Sequence, residues 1–78
     1  MIRFECEAGG AELVETDGER VVVRAGRASP PGSHFDATLD GVSYRIKVRH
    51  CRRDGDGFLI EGRWVNLSRA MRERVLRG

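Results

Sequence analysis

Long apolar runs, cysteine frameworks and aromatic clusters are all missing from this 78-residue chain. No run approaches the roughly 18 apolar residues of a membrane-spanning helix. The opening Met1-Ile2-Arg3-Phe4-Glu5 reads as a strand and lacks the apolar core of a secretory leader. The two cysteines, Cys6 and Cys51, sit in strand-like sequence with no paired spacing. Free thiols in a cytoplasmic protein are the reading, with a single bridge between them as the alternative. Two histidines, His34 and His50, add too few ligands at the wrong spacing for zinc. No metal or cofactor is therefore expected.

Catalytic patterns are absent as well. His50 and Cys51 are neighbours, so on a strand they point to opposite faces and form no nucleophile–base pair. Asp54-Gly55-Asp56-Gly57 lacks the third ligand and the terminal Glu of a calcium loop, and turn chemistry accounts for it. Gly9-Gly10 lacks the spaced glycines and the Lys of a phosphate loop. The chain is expected not to be an enzyme.

What is present is alternation. From Val42 to Val48, apolar Val42, Tyr44, Ile46 and Val48 interleave with Ser43, Arg45 and Lys47, and Arg49 follows. That period of two marks a half-buried antiparallel strand with one basic face. Asp40-Gly41 before it is a hairpin turn. Asp54 to Gly57 turns the chain again, and Phe58 to Val65 returns as a partner strand. Upstream, Ile2 to Glu7 alternates with Ile2, Phe4 and Cys6 inward, and Ala8-Gly9-Gly10 turns it. Ala11 to Glu15 and Arg20 to Arg24 are strands joined by the turn Thr16 to Glu19. Gly26 to Gly32, with Pro30-Pro31, is a loop, and Ser33 to Leu39 places Phe35, Ala37 and Leu39 on one face.

The period then changes. Ser68 is placed to cap a helix over 69–77, in which Leu67, Met71 and Val75 form an apolar stripe with Leu76 beside it. Such a short helix must dock to persist, with Trp64 as its floor. One mainly β domain over 1–78 follows: a small antiparallel β-barrel of about six strands over 2–65, closed by a short C-terminal α-helix.

Charge is asymmetric along the chain. Residues 1–44 hold four Arg against eight acids, a net of −4, and residues 45–78 hold ten Lys or Arg against four acids, a net of +6. An anionic partner suits such a surface. Arg45, Lys47, Arg49, Arg52 and Arg53 are the partner-contact candidates. Single-stranded nucleic acid is the alternative partner, but it needs stacking rings among the cations. The rings here are three Phe, one Tyr and one Trp, with Tyr44 and Phe35 on core faces.

The C-terminal half, about 28–77, resembles a PilZ domain. The likeness lies in Pro30-Pro31-Gly32-Ser33 entering a strand and in Tyr44-Arg45-Ile46-Lys47-Val48-Arg49-His50-Cys51. Gly62-Arg63-Trp64-Val65-Asn66-Leu67-Ser68 before a short helix completes it. The resemblance implies a bacterial regulatory module in cyclic di-GMP signalling. Ligand-binding members carry R-x-x-x-R in a leading arm and [D/N]-x-S-x-x-G on early strands, where Arg guanidinium groups clamp phosphate and stack on guanine. Here Arg20 and Arg24 spell the first pattern inside a strand. Ser29 and Gly32 supply S-x-x-G, with Arg27 where the acid or amide belongs. Cys6 or Glu7 replaces the Ser in the other register, and the chain begins about where the arm would end. Arg20, Arg24, Arg27, Ser29 and Gly32 are thus the cyclic di-GMP candidates. The departures imply an adaptor working through a protein partner, as a monomer or weak homodimer.

Overall fold

The computed structural model describes residues 2–6 and 9–77. Its elements are β1 (Arg3–Phe4), β2 (Ala11–Thr16), β3 (Arg20–Ala25), β4 (His34–Leu39), β5 (Val42–Asp54), β6 (Gly57–Val65) and α1 (Arg69–Arg77). The strands follow the alternation read from the sequence, and turn chemistry sets their limits. Asp40 and Gly41 take φ of 53° and 79°, the two positive values a type I′ turn requires. Asp17 closes the β2–β3 turn by accepting the backbone N–H of Glu19 (2.9 Å) and of Arg20 (2.8 Å).

Every pairing is antiparallel, in the order β1-β2-β3-β6-β5-β4. Among the described residues one bridge nearly closes the ring: Glu5 N–H donates to Thr38 O (2.8 Å) and Thr38 N–H to Glu5 O (2.7 Å). Two three-stranded meanders, β1–β3 and β4–β6, are thus joined along β3–β6. The first strand is shorter than the sequence suggests, with ladder pairing at Arg3 and Phe4 only. Its expected end at Glu7, and Ala8 of the turn, lie outside the described residues.

Inward positions fill the barrel with Ile2, Phe4, Ala11, Val21, Val23, Ala25, Ala37, Leu39, Tyr44, Ile46, Val48, Ile60 and Val75. Each large side chain so buried contributes about 1.5–3 kcal/mol by leaving water. Phe4, Tyr44 and Trp64 form an aromatic triad, the Phe4 and Tyr44 rings meeting edge to face at 5.3 Å. Burial raises the Tyr44 phenol above its usual pKa. The Trp64 indole N–H is satisfied by Thr16 Oγ1 at 2.9 Å.

Asn66, at φ 56°, turns the chain out of β6 toward α1. Ser68 caps the helix as expected, its Oγ accepting the Met71 N–H at 3.2 Å. Val75 is buried in the core, and Leu67 and Met71 are half-buried against it. Leu76 instead stays exposed. Arg74 to Asp40 (3.2 Å) ties the helix to the β4–β5 turn, and the Arg72 guanidinium lies against Gly18 of the β2–β3 turn. The helix therefore covers the barrel end that holds both turns. Among the described residues, no helix is long and apolar enough to cross a membrane.

β5 departs from simple alternation. It runs 13 residues, and its register against β6 shifts between Val48 and His50. Val48 pairs with Gly62 and His50 with Glu61, so Arg49 is the extra residue of a β-bulge. Beyond it the inward parity changes from even to odd: Tyr44, Ile46 and Val48 before, Cys51 after.

Candidate functional site

Strand register, more than any single loop, assembles the charged surface. Arg20 of β3 lies opposite Arg63 of β6, Arg63 lies opposite Lys47 of β5, and Lys47 lies opposite His34 of β4. All four are exposed on the outer face. At about 4.8 Å between strands, they make a row roughly 14 Å long running across the sheet. Like charges directly opposite one another destabilise a sheet by up to about 1 kcal/mol per pair. Two acids relieve part of this: Glu61 binds the Arg20 guanidinium, and Glu19 approaches Arg63 at 3.6 Å. Lys47 has no acidic partner among the described residues.

Arg49 and His50 extend the charge beside this row. The bulge puts both on the exposed side, where a groove of about 460 Å³ is lined by Asp17, Glu19, Arg20, Arg49, His50 and Glu61 with Gly62 and Arg63. Glu61 is held below the usual carboxylate range, first by its hydrogen bond from Arg20, then by the charges of Arg20, His50 and Arg49. A second groove, about 610 Å³, adjoins it at Arg20, His50 and Glu61 and reaches Val14, Val22, Leu59, Cys51, Arg52 and Pro31. Its floor is apolar. Val22 is only 8% exposed yet stands apart from the barrel core, while Val14, at the β2 register shift, is 52% exposed. The outer face therefore offers apolar contact area framed by Arg20 and Arg52, with Glu15 and Glu61 also at its margin.

The five partner-contact candidates divide. Lys47, Arg49 and Arg52 share the outer face, and none of them has an acidic partner among the described residues. Arg45 is occupied: its guanidinium grips Asp36 through two hydrogen bonds, 2.7 and 3.3 Å, which depress the Asp36 pKa. Arg53 lies opposite Phe58, on the side of Cys51 and Ile60, because the bulge reverses parity. It is exposed at the barrel mouth and does not extend the outer row.

The cyclic di-GMP candidates are also dispersed. Arg20 and Arg24 lie on the same outer face, but Arg20 binds Glu61 and Arg24 binds Asp54 at 2.5 Å. Ser29 is buried, its Oγ 3.0 Å from Ser33 Oγ, which in turn donates to Pro30 O. Gly32 donates its N–H to Val48 O at 2.8 Å, anchoring the loop to β5. Only Arg27 and Ser29 come together. They line a cleft of about 240 Å³ with Cys6, Ala28, His34, Phe35 and Asp36.

Three features of this surface are not among the sequence candidates. Arg63 belongs to the row but its pairing with β3 is set elsewhere in the chain, while His34 meets Lys47 across the Asp40-Gly41 hairpin. Glu61 sits between the two grooves and neutralises Arg20. The alternation of Phe58 to Val65 gives the facing of Glu61 and Arg63, and that of Ser33 to Leu39 the facing of His34, whereas the neighbours of Glu61 and Arg63 depend on register with β3 and β5. Among the described residues, no three His, Cys, Asp or Glu side chains gather where they could hold a metal ion. Comparison with protein-family models, with curated proteins and with solved structures gave no match.

Proposed function

We propose that this chain is a non-enzymatic, PilZ-like regulatory binding module in bacterial cyclic di-GMP-related signalling, which works by holding an acidic surface of a partner protein. The supporting observation is the cross-strand row Arg20, Arg63, Lys47 and His34. It carries a repulsive cost that an anionic partner removes, and exposed Val14 beside it adds apolar contact. The adaptor reading is favoured over direct ligand sensing because Arg20, Arg24, Ser29 and Gly32 are each engaged within the fold. The aromatic triad is directed into the barrel, which favours a protein over a stacked nucleic acid strand.

Calorimetric titration at two salt concentrations tests this, using cyclic di-GMP, poly-glutamate and a single-stranded oligonucleotide as probes. Poly-glutamate is expected to bind and to lose about tenfold in affinity in a Lys47→Gln, Arg63→Gln double variant. An Arg77→Gln control on the helix should leave it unchanged. Saturable cyclic di-GMP binding abolished by Arg20→Ala would replace the adaptor reading with a sensor. Tighter binding of the oligonucleotide with a steep salt slope would favour the nucleic acid alternative.

A further inference from the structure

β5 is longer than the strand beside it. β4 pairs with β5 from Val42 to Lys47, and the loop adds two bonds at Val48: Gly32 N–H to Val48 O (2.8 Å) and Val48 N–H to Ser33 O (2.9 Å). Val48 therefore directs its backbone groups away from β6. Successive residues of a strand direct these groups to opposite edges. After the bulge the alternation resumes from the Asp54↔Gly57 pair that closes the β5–β6 turn, so Asp54, Arg52 and His50 face β6. Cys51 and Arg53 then direct their N–H and C=O groups to the other edge. Among the described residues no backbone group meets them there. Pro31, which lines the same groove as Cys51 and Arg52, has no N–H to offer.

We infer that this open edge of β5, at Cys51 and Arg53, is the point at which an extended acidic segment of a partner protein adds as a further strand. The inference rests on the reading of the basic face as a protein-binding surface and specifies the form the partner takes. An incoming strand pairs with the two exposed donors and two exposed acceptors, the usual source of affinity in strand addition. Its alternate side chains fall on the two sides of the sheet. Those on the outer side meet Arg52, and Arg49 and His50 of the bulge; those on the other side meet Arg53. Carboxylates suit both sides.

Charge also selects the occupant. A second copy of this chain pairing edge to edge would set Arg49, Arg52 and Arg53 against themselves, a like-charge arrangement that blunts self-association. An acidic segment turns the same residues into partners. The bulge at Arg49 and the flanking cations thus exclude one kind of strand and admit another.

The test uses a blocked eight-residue peptide of alternating glutamate and valine, titrated into the whole chain with amide exchange followed residue by residue. Binding is expected to slow exchange at Cys51 and Arg53 in the unaltered protein. Arg53→Pro removes one edge donor at a position that does not serve β6, where proline is tolerated. It should weaken binding at least about fivefold beyond Arg53→Gln, which removes only the charge. Equal affinity of these two variants, unchanged exchange at Cys51 and Arg53, or no binding of the peptide would overturn the inference. So would a concentration-dependent dimer that protects the same two amides without peptide. If the peptide ignores Arg53→Pro but weakens in the Lys47→Gln, Arg63→Gln variant, strand addition fails while the basic-face reading stands. If that double variant binds poly-glutamate as tightly as the unaltered chain, the basic-face reading itself fails.

Discussion

The two halves of β5 share one strand but do opposite work. From Val42 to Val48 the strand is paired with β4 as far as Lys47 and with β6 from Arg45 onward, and Tyr44, Ile46 and Val48 are among the most buried residues of the barrel. From Arg49 to Asp54 it is paired only with β6, and Cys51 alone of its side chains packs against the core. The first half fills the core with one face while Arg45 and Lys47 stand on the other; the second buries little and mainly presents cations. A single inserted residue, Arg49, separates them. Surface charge can therefore vary after the bulge without disturbing packing before it.

The largest effect should come from the junction. Gly62 faces Val48, and a methyl group there would collide with the Lys47 carbonyl oxygen and stand 2.8 Å from Ile46 Cγ2. Backbone cannot yield as a flexible side chain does, so Gly62→Ala is expected to cost roughly 3 kcal/mol or more. That is much of the stability of a domain this size, at about 0.05–0.15 kcal/mol per residue. Chemical denaturation followed by Trp64 fluorescence would measure it.

Next in size is the contrast between halves. Ile46→Ala should cost about 2–5 kcal/mol, whereas Cys51→Ala, at a half-buried site, should cost about 1 kcal/mol. Equal costs would break the division drawn at Arg49. Denaturation midpoints at constant slope would report both.

Acid sharpens the comparison further, because each half has an ion pair on its outer face. Asp36 with Arg45 belongs to the first, and Glu61, beside Arg20, His50 and Arg49, to the second. Both carboxylates have lowered pKa values in the fold. Their stabilisation is thus present above the unfolded values near pH 4 and is lost as pH falls through the lower folded values. Urea midpoints measured against pH should fall in acid, less steeply in Arg45→Gln and in Arg20→Gln. The smallest effect is expected from Arg52→Gln, an exposed cation without an acidic partner among the described residues. Its stability should change by no more than about 0.5 kcal/mol.

The local features were legible in the chain itself. Alternation over Val42 to Val48, the Asp40-Gly41 turn and Ser68 before a helical stripe depend on neighbouring residues, and the fold uses each, except that Val42 beside the turn is 43% exposed instead of buried with Tyr44, Ile46 and Val48. The bulge was only faintly written: apolar spacing lengthens from two to three between Val48 and Cys51, and a glycine stands opposite. The β3–β6 pairing was not written locally. It joins residues about 40 apart, and it alone sets Arg20 beside Arg63. The basic row could therefore be anticipated only in part, from Lys47 and, across the Asp40-Gly41 hairpin, His34, while Arg20 beside Arg63 required the distant register.

The two seams joining the meanders differ in the same spirit. Six residue pairs hold β3 to β6, while among the described residues Glu5 and Thr38 alone bridge the first strand segment to β4. Mechanically, one seam is a hinge and the other a latch. Were the latch to part, Phe4 and Tyr44 would meet water first, while the β5–β6 ladder needs no change. On the six-strand ring the latch lies opposite the hinge, so opening at the latch leaves the Arg20–Arg63–Lys47 part of the charged row on strands that stay paired.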